Sequence, residues 1–326
     1  MTDAAHNSPL ADPIPSAPPR SQWAEVWSQF RRHRGAMISL FLLVVIVGGT
    51  YLGPFIWRAD PQAIPSTLDM IKQRDARPIY TLLWDSGAKV QWANPLGTDN
   101  LARDNLARLM YGGRVSIAVG LLAMALSIIL GAAIGVTAGY FKRFDAPLMR
   151  LTDLFLALPL LPLILVGSLL FREPLAAAFG VEGGTFILIV SLIGITSWMQ
   201  TARIVRGDVL ALKEREFVLA AKSVGTKPGK LIRRHVLPNV LSPIMVSATL
   251  GIATAIITES ALSFLGFGFP PDFPTWGRLL NDSVDRMVLY PERVLWPGLM
   301  ISLTVLCVNY LGDGLRDALD PRIRGR

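Results

Sequence analysis

The length of its apolar runs restricts what this chain can fold into more than any other feature. A helix needs about 20 mostly apolar residues to cross a bilayer. Runs of that kind cover roughly 36–57, 115–141, 151–171, 185–202, 240–267 and 294–311. The third carries Pro159 and Pro162 and the fourth is short, so the count is about six. Composition agrees, because 52% hydrophobic residues against 17% charged is apolar for a soluble domain. The expected fold class is all-α, a polytopic membrane protein of about six transmembrane helices.

Charge sets the expected orientation, since Lys and Arg accumulate on cytoplasmic loops. With the N-terminus inside, segments 1–35, 141–150, 203–237 and 313–326 face the cytoplasm and hold 20 basic residues. Segments 58–114, 172–183 and 267–293 lie outside, are nearly equal in summed length, and hold 12. Both termini are expected to be cytoplasmic. The net charge of +8 is then a topology signal, and no nucleic acid is needed to explain it.

Residues up to Arg20 are rich in Pro, Ala and Ser and read as a disordered tail without a cleavable signal pattern. An amphipathic lead-in over 23–34 ends in Arg31, Arg32 and Arg34, ahead of a retained first span. The single cysteine, Cys307, lies in the last apolar run, so no intramolecular disulfide forms, and the thiol reads as a small hydrophobe.

Within the second run, Ala123, Ser127, Gly131, Gly135 and Gly139 recur every four residues and share one helix face. Such a face admits a second helix backbone, either from this chain or from a second membrane subunit. Ionisable residues inside spans are costly. Glu259 lies 21 residues past Pro238, about 31 Å of helix rise, and so near the external end of its span. It either lines a solute path or accepts hydrogen bonds from a neighbouring helix. Asp153 is expected at the inner end of the third span, reaching interfacial water or a base such as Arg150. His6, His33 and His235 have no metal-ligand spacing, and no phosphate-binding GxxxxGK[ST] occurs. Neither a catalytic site nor a cofactor or metal site in this chain is expected; any ATP and magnesium belong to another chain.

The longest internal loop, 203–237, carries Phe217, Ala220, Ala221 and Val224 at the i, i+3, i+4, i+7 spacing of an amphipathic helix. Gly225 suits its C-terminus, and Thr226 with Pro228 suits the start of a second helix. A helix lying on the membrane surface has the same pattern.

The order Ala220-Ala221, Gly225, Leu237-Pro238 resembles the EAA-x3-G-x9-I-x-LP signature of ABC importer permeases, with Leu219 in the Glu position and His235 in the Ile position. Glu216 stands three residues before Leu219. Further segments resemble the same family: Asn94-Pro95-Leu96-Gly97-Thr98-Asp99 with Arg103-Asp104; Tyr111-Gly112-Gly113-Arg114; Ala138-Gly139-Tyr140-Phe141; Ala261-Leu262-Ser263-Phe264-Leu265-Gly266; Pro274-Thr275-Trp276-Gly277; and Leu311-Gly312-Asp313-Gly314-Leu315-Arg316-Asp317. Together they are similar to the C-type membrane subunit of dipeptide, oligopeptide and nickel importers. Ala102 stands where relatives usually have Gly, and residues 58–92 look like an added external element.

The resemblance implies a type I ABC importer fold, with a permease core over 115–317, a first helix over 36–57, an external loop over 58–114 and a C-terminal tail over 318–326. It implies residence in a bacterial cytoplasmic (inner) membrane. Implied partners are a second permease subunit, two cytoplasmic ABC ATPase domains, an external solute-binding protein and membrane lipid. Glu216, Phe217, Ala220, Ala221, Gly225, Leu237 and Pro238 would form the segment that docks on the ATPase. Pro274 and Trp276 would face the binding protein, unless their loop simply caps the spans. The rival readings are an ion-coupled secondary transporter, which would need paired midplane charges that are scarce here, and a membrane enzyme, for which no convergent polar groups are present. Nickel chelates or sugars are alternative cargoes for the importer.

Overall fold

The computed structural model describes residues 22–319, so the tail up to Arg20 and the stretch 320–326 lie outside it. Within the described residues the fold is helical, with two isolated β-bridges, Arg77 to Val90 and Thr98 to Asp104. An amphipathic α1 (Gln22–Arg32) leads into α2 (Arg34–Ile56), the first span. His33 joins them, its Nδ1 accepting from the Ala36 amide at 3.0 Å. Val26 and Phe30 bury the apolar stripe of α1 against Ala36 and Ala318. A long segment with α3 (Thr67–Gln73) and a 3-10 turn over Ile79–Leu83 follows.

The second span, α4 (Asn105–Tyr140), starts ten residues before its apolar run because Asp104 caps it, Oδ1 accepting from Ala107 N at 2.9 Å. At 36 residues it is about 54 Å long and outreaches the hydrocarbon core. Then come α5 (Lys142–Ala157), α6 (Leu160–Phe179), α7 (Val181–Ile195) and α8 (Trp198–Leu212). After these lie α9 (Glu216–Ser223), α10 (Pro228–Leu231), a π turn over Ile232–Val236, α11 (Leu237–Phe264), α12 (Trp276–Val284) and α13 (Glu292–Leu319).

Six helices or helix pairs are long and apolar enough to cross a membrane: Arg34–Ile56, Asn105–Tyr140, Leu160–Phe179, Val181–Leu212, Pro228–Phe264 and Glu292–Leu319. Two sequence expectations are corrected. The third span begins at Leu160, not 151: Leu158 sits before Pro159, where α backbone is disfavoured, and takes φ −77, ψ 137. Residues 151–157 instead complete the amphipathic α5, so Asp153 is not in a span. It is exposed and pairs with Arg203 at 2.5 Å rather than with Arg150. The last span runs on to Leu319 because Gly314 lets Ala36 and Phe30 pack onto it, so residues 318 and 319 are helix rather than tail.

The small-residue seam of α4 is filled from within the chain. A Cβ on Gly131 would meet the Trp198 carbonyl oxygen at 2.8 Å, one on Gly135 the Ala202 oxygen at 2.6 Å, and one on Gly139 the Val209 Cβ at 2.7 Å. Ala123 meets α7 in the same way, its carbonyl lying 2.9 Å from a Cβ placed on Gly194. Helices α7 and α8 therefore pack along α4, and this face is closed to a second subunit.

One end of the bundle carries α1, α5, α9 and α10 and is called the basic face. The other carries residues 58–104 and the 265–291 connection and is called the loop face. On the loop face the long segment is bolted to α12 and α13. Asp75 pairs with Arg286 at 2.9 Å and Arg293 at 3.0 Å, and Trp296 Nε1 donates to the Tyr80 hydroxyl at 3.0 Å.

Candidate functional site

On the basic face, α9 stands on a hydrophobic footing. Val218 is buried among Val205, Val209, Leu231 and Val236, with Ala221 partly packed on the same cluster. The chain then turns back through a Schellman motif: Gly225 N donates to Lys222 O at 2.9 Å and Thr226 N to Ala221 O at 3.2 Å. Gly225 adopts φ +80 with open space around it, so backbone conformation rather than room demands glycine there. Pro228 opens α10 at its first turn, and the π turn carries the chain into α11 at Leu237-Pro238.

The residues singled out by sequence divide between two faces. Glu216, Phe217, Ala220, Gly225, Leu237 and Pro238 are exposed; Ala221 is half-buried. The residue that roots the helix is Val218, outside the Phe217–Ala220–Ala221–Val224 stripe. The stripe keeps to one side of the helix, with Phe217 45% exposed and Val224 87% exposed. With exposed Ala220 they give the short helix an apolar outer edge, fringed by exposed Lys222, Lys227, Lys230, Arg233 and Arg234. Val218, Leu231 and Val236 lie too far apart in sequence for helical periodicity to group them.

The basic face has a second fixed joint. Asp145 on α5 accepts from Arg206 on α8 (Nη2 to Oδ2, 2.8 Å), and this bond holds its carboxyl below the usual carboxylate range. Arg203–Asp153 ties the same two helices about one turn away on α8 and two turns away on α5.

Towards the loop face, Glu259 is fully buried, and it does not line the cavity described below. Its Oε2 accepts from Ser116 Oγ at 2.9 Å and its Oε1 from Ser263 Oγ at 2.8 Å. Ser116 Oγ in turn accepts from Trp276 N at 3.3 Å. Trp276 is 0% exposed, packed with Ile46, Leu109 and Ile117, and its indole N–H donates to Leu109 O at 3.0 Å. Pro274 is buried as well. The expectation that Pro274 and Trp276 touch a partner directly is therefore corrected: burial turns them inward, and Pro271 and Asp272 are the exposed residues of that turn. Two of the sequence motifs meet here. Gly112 lies on the Thr275 backbone, where an added Cβ would come within 3.1 Å, and Gly113 lies on the Trp276 ring.

The neighbouring motif builds the cap of α4. Asp99 pairs with Arg103 and Arg108, each at 2.7 Å, and Arg108 also reaches Asp282 at 3.1 Å. Asp104 Oδ2 accepts from Asn94 Nδ2 at 2.8 Å and Trp57 Nε1 at 3.1 Å. Ala102 takes φ +60 in the turn closed on Asp99, a conformation that Gly would adopt without strain.

Midway along the bundle, a cavity of about 470 Å³ opens between α4, the α5–α6 corner, the α7–α8 break and α11. The break at Thr196–Ser197 carries no Pro or Gly, so the sequence did not announce it. Mostly apolar walls surround Ser197, Gln200, Thr201, Ser247 and Thr254, and no lining residue is charged.

Six helices or helix pairs long and apolar enough to span, with a rooted surface helix at one end and a neutral cavity midway along the bundle, define a polytopic helical membrane protein. The family comparisons agree. The model described as "Binding-protein-dependent transport system inner membrane component" matches residues 116–325, and that described as "N-terminal TM domain of oligopeptide transport permease C" matches residues 21–77. The chain belongs to this family of binding-protein-dependent transport permeases. It is 34% identical over 98% of its length to a dipeptide transport system permease protein of Alkalihalophilus pseudofirmus, covering 98% of that protein. It is also 34% identical to an oligopeptide transport system permease protein of Bacillus subtilis, over 98% of this chain and 96% of that one. A di/tripeptide transport system permease protein of Pseudomonas aeruginosa is 35% identical over 99% of both. Among solved structures, an amino acid ABC transporter with histidines gives a TM-score of 0.48 at 18% identity, over 65% of this chain and 94% of that one.

Proposed function

We propose that this subunit forms half of the solute pathway of an ATP-driven peptide importer and that α9 is the joint through which separate ATPase subunits drive it. The apolar outer edge of α9 carries this reading: Phe217, Ala220 and Val224 stay exposed on one side of a helix whose own root, Val218, is buried. An apolar edge ringed by bases suits a partner with an apolar cleft and acidic rim. Motion of that partner would pass through Val218 to α8 and α11, which share its cluster, and the Asp145–Arg206 joint would carry it on to α5.

In this reading the basic face is cytoplasmic, both termini lie there, and the chain resides in a bacterial inner membrane, in keeping with the excess of Lys and Arg on those segments. A second, homologous permease subunit completes the pathway, and a solute-binding protein delivers cargo at the loop face. The peptide cargo is supported by the names of the relatives. Val224→Glu tests the joint. It should uncouple ATP hydrolysis from uptake while the subunit remains in the membrane, and unchanged uptake would refute the docking role.

A further inference from the structure

We propose that Gln200 is the residue through which this subunit engages its cargo in transit, pairing with peptide amide groups rather than with side chains. The inference rests on the permease reading above and assigns a contact within it.

Gln200 sits in the third position of α8, just past the Thr196–Ser197 break, on the wall of the 470 Å³ cavity. Its depth is central: the cavity's α11 wall runs from Ser247 to Thr254, ten residues from either end of that helix. The side chain is exposed, and its carboxamide makes no hydrogen bond among the described residues. Its neighbours are already committed. Thr201 Oγ1 and Ser247 Oγ lie 3.0 Å apart and bond to each other, and the Thr254 hydroxyl donates to Leu250 O at 3.1 Å.

An unpartnered carboxamide facing hydrocarbon at this depth is strongly disfavoured, so the group faces water or a passing solute. A carboxamide offers two donors and an acceptor, which is the complement of a peptide group. The remaining walls are neutral, with Met124 and Met199 supplying adaptable thioethers. With no charge to attract or repel a side chain, such a site reads the repeating main chain and ignores side-chain charge. The cavity volume lies within the usual range for sites that enclose a small ligand.

The test uses the whole importer, with both permease subunits, its ATPases and its binding protein, in proteoliposomes supplied with labelled trialanine. Gln200→Leu should raise the KM for uptake roughly threefold to tenfold, as expected for one lost hydrogen bond, in a complex that still assembles. Gln200→Glu should favour Ala-Lys-Ala over Ala-Glu-Ala by on the order of tenfold, where the wild type passes both alike once the binding protein is saturated. Unchanged KM and unchanged charge preference would overturn the assignment and leave the permease reading standing. A loss of complex assembly in Gln200→Leu, with no shift in charge preference for Gln200→Glu, would make Gln200 a subunit contact instead. Failure of the wild-type complex to transport any of the three peptides would overturn the peptide-importer reading, and this inference with it.

Discussion

Replacing Val224 by Glu places a charge on the most exposed part of the α9 edge. The side chain is 87% exposed, so the free subunit loses almost no packing and should melt as the wild type does. If the edge is buried against a partner, the substitution removes a buried Val, and the complex weakens by about 2 kcal/mol, roughly thirtyfold in Kd. The contrast with Gly225 is informative. Any other residue there must hold φ +80, which costs about 1–2 kcal/mol in the subunit itself, so its variants confound folding with docking. Ala221 is half-buried on the Val218 cluster and has the same drawback. The assay is titration of detergent-solubilised subunit with its ATPase, with a thermal melt of the free subunit as control. An unchanged Kd with an unchanged melt would refute the argument that this edge is the docking surface.

Three further outcomes concern Glu259, Ala102 and Asp145. Glu259→Ala leaves the Ser116 and Ser263 hydroxyls without their acceptor and opens a void, so it should cost roughly 2–4 kcal/mol in thermal melts; Glu259→Gln, which keeps an acceptor and the volume, should cost less. A melt of Glu259→Ala equal to wild type would contradict a stabilising role for the Ser116 and Ser263 hydrogen bonds to Glu259. Ala102→Gly should leave the melt unchanged or raise it by up to about 1 kcal/mol of stability, whereas Ala102→Val, branched at φ +60, should lower it; the reverse order would contradict the assigned turn. Because its carboxyl is held below the ordinary range, Asp145 contributes stability that is complete above its unfolded pKa and is lost as pH falls through its folded one. Asp145→Asn should therefore flatten the acid limb of the stability profile, and an unaltered limb would show that the Arg206 tie contributes nothing.

Run length made the spans legible, because nothing but a bilayer requires so many apolar residues in sequence. Their ends were less so. Asp104 extends α4 back by capping, and Gly314 extends α13 forward by contact with α1 and α2, which are tertiary effects. The start of the third span is hidden because the last turn of α5, Leu154 to Ala157, is as apolar as a span. The surface segment was legible as a motif, and Gly225 as a helix stop, but its orientation was not. Choosing between Phe217 and Val218 as the buried residue requires Leu231 and Val236, which only the fold-back supplies. Trp276 misled for a related reason: a Pro- and Trp-containing loop reads as exposed or interfacial until Gly112 and Gly113 are seen to make room for it. The cavity had no sequence signal, since the α7–α8 break falls at Thr196–Ser197 without Pro or Gly.

Reconstituted uptake is the most direct test of the proposal that this chain forms half of the membrane pathway of an ATP-driven peptide importer. Proteoliposomes holding the complete complex, with ATP on the side of the basic face and binding protein with labelled trialanine on the other, should accumulate peptide. Accumulation should require hydrolysable ATP and be indifferent to a protonophore. Uptake abolished by the protonophore and independent of ATP would contradict the account in favour of ion coupling.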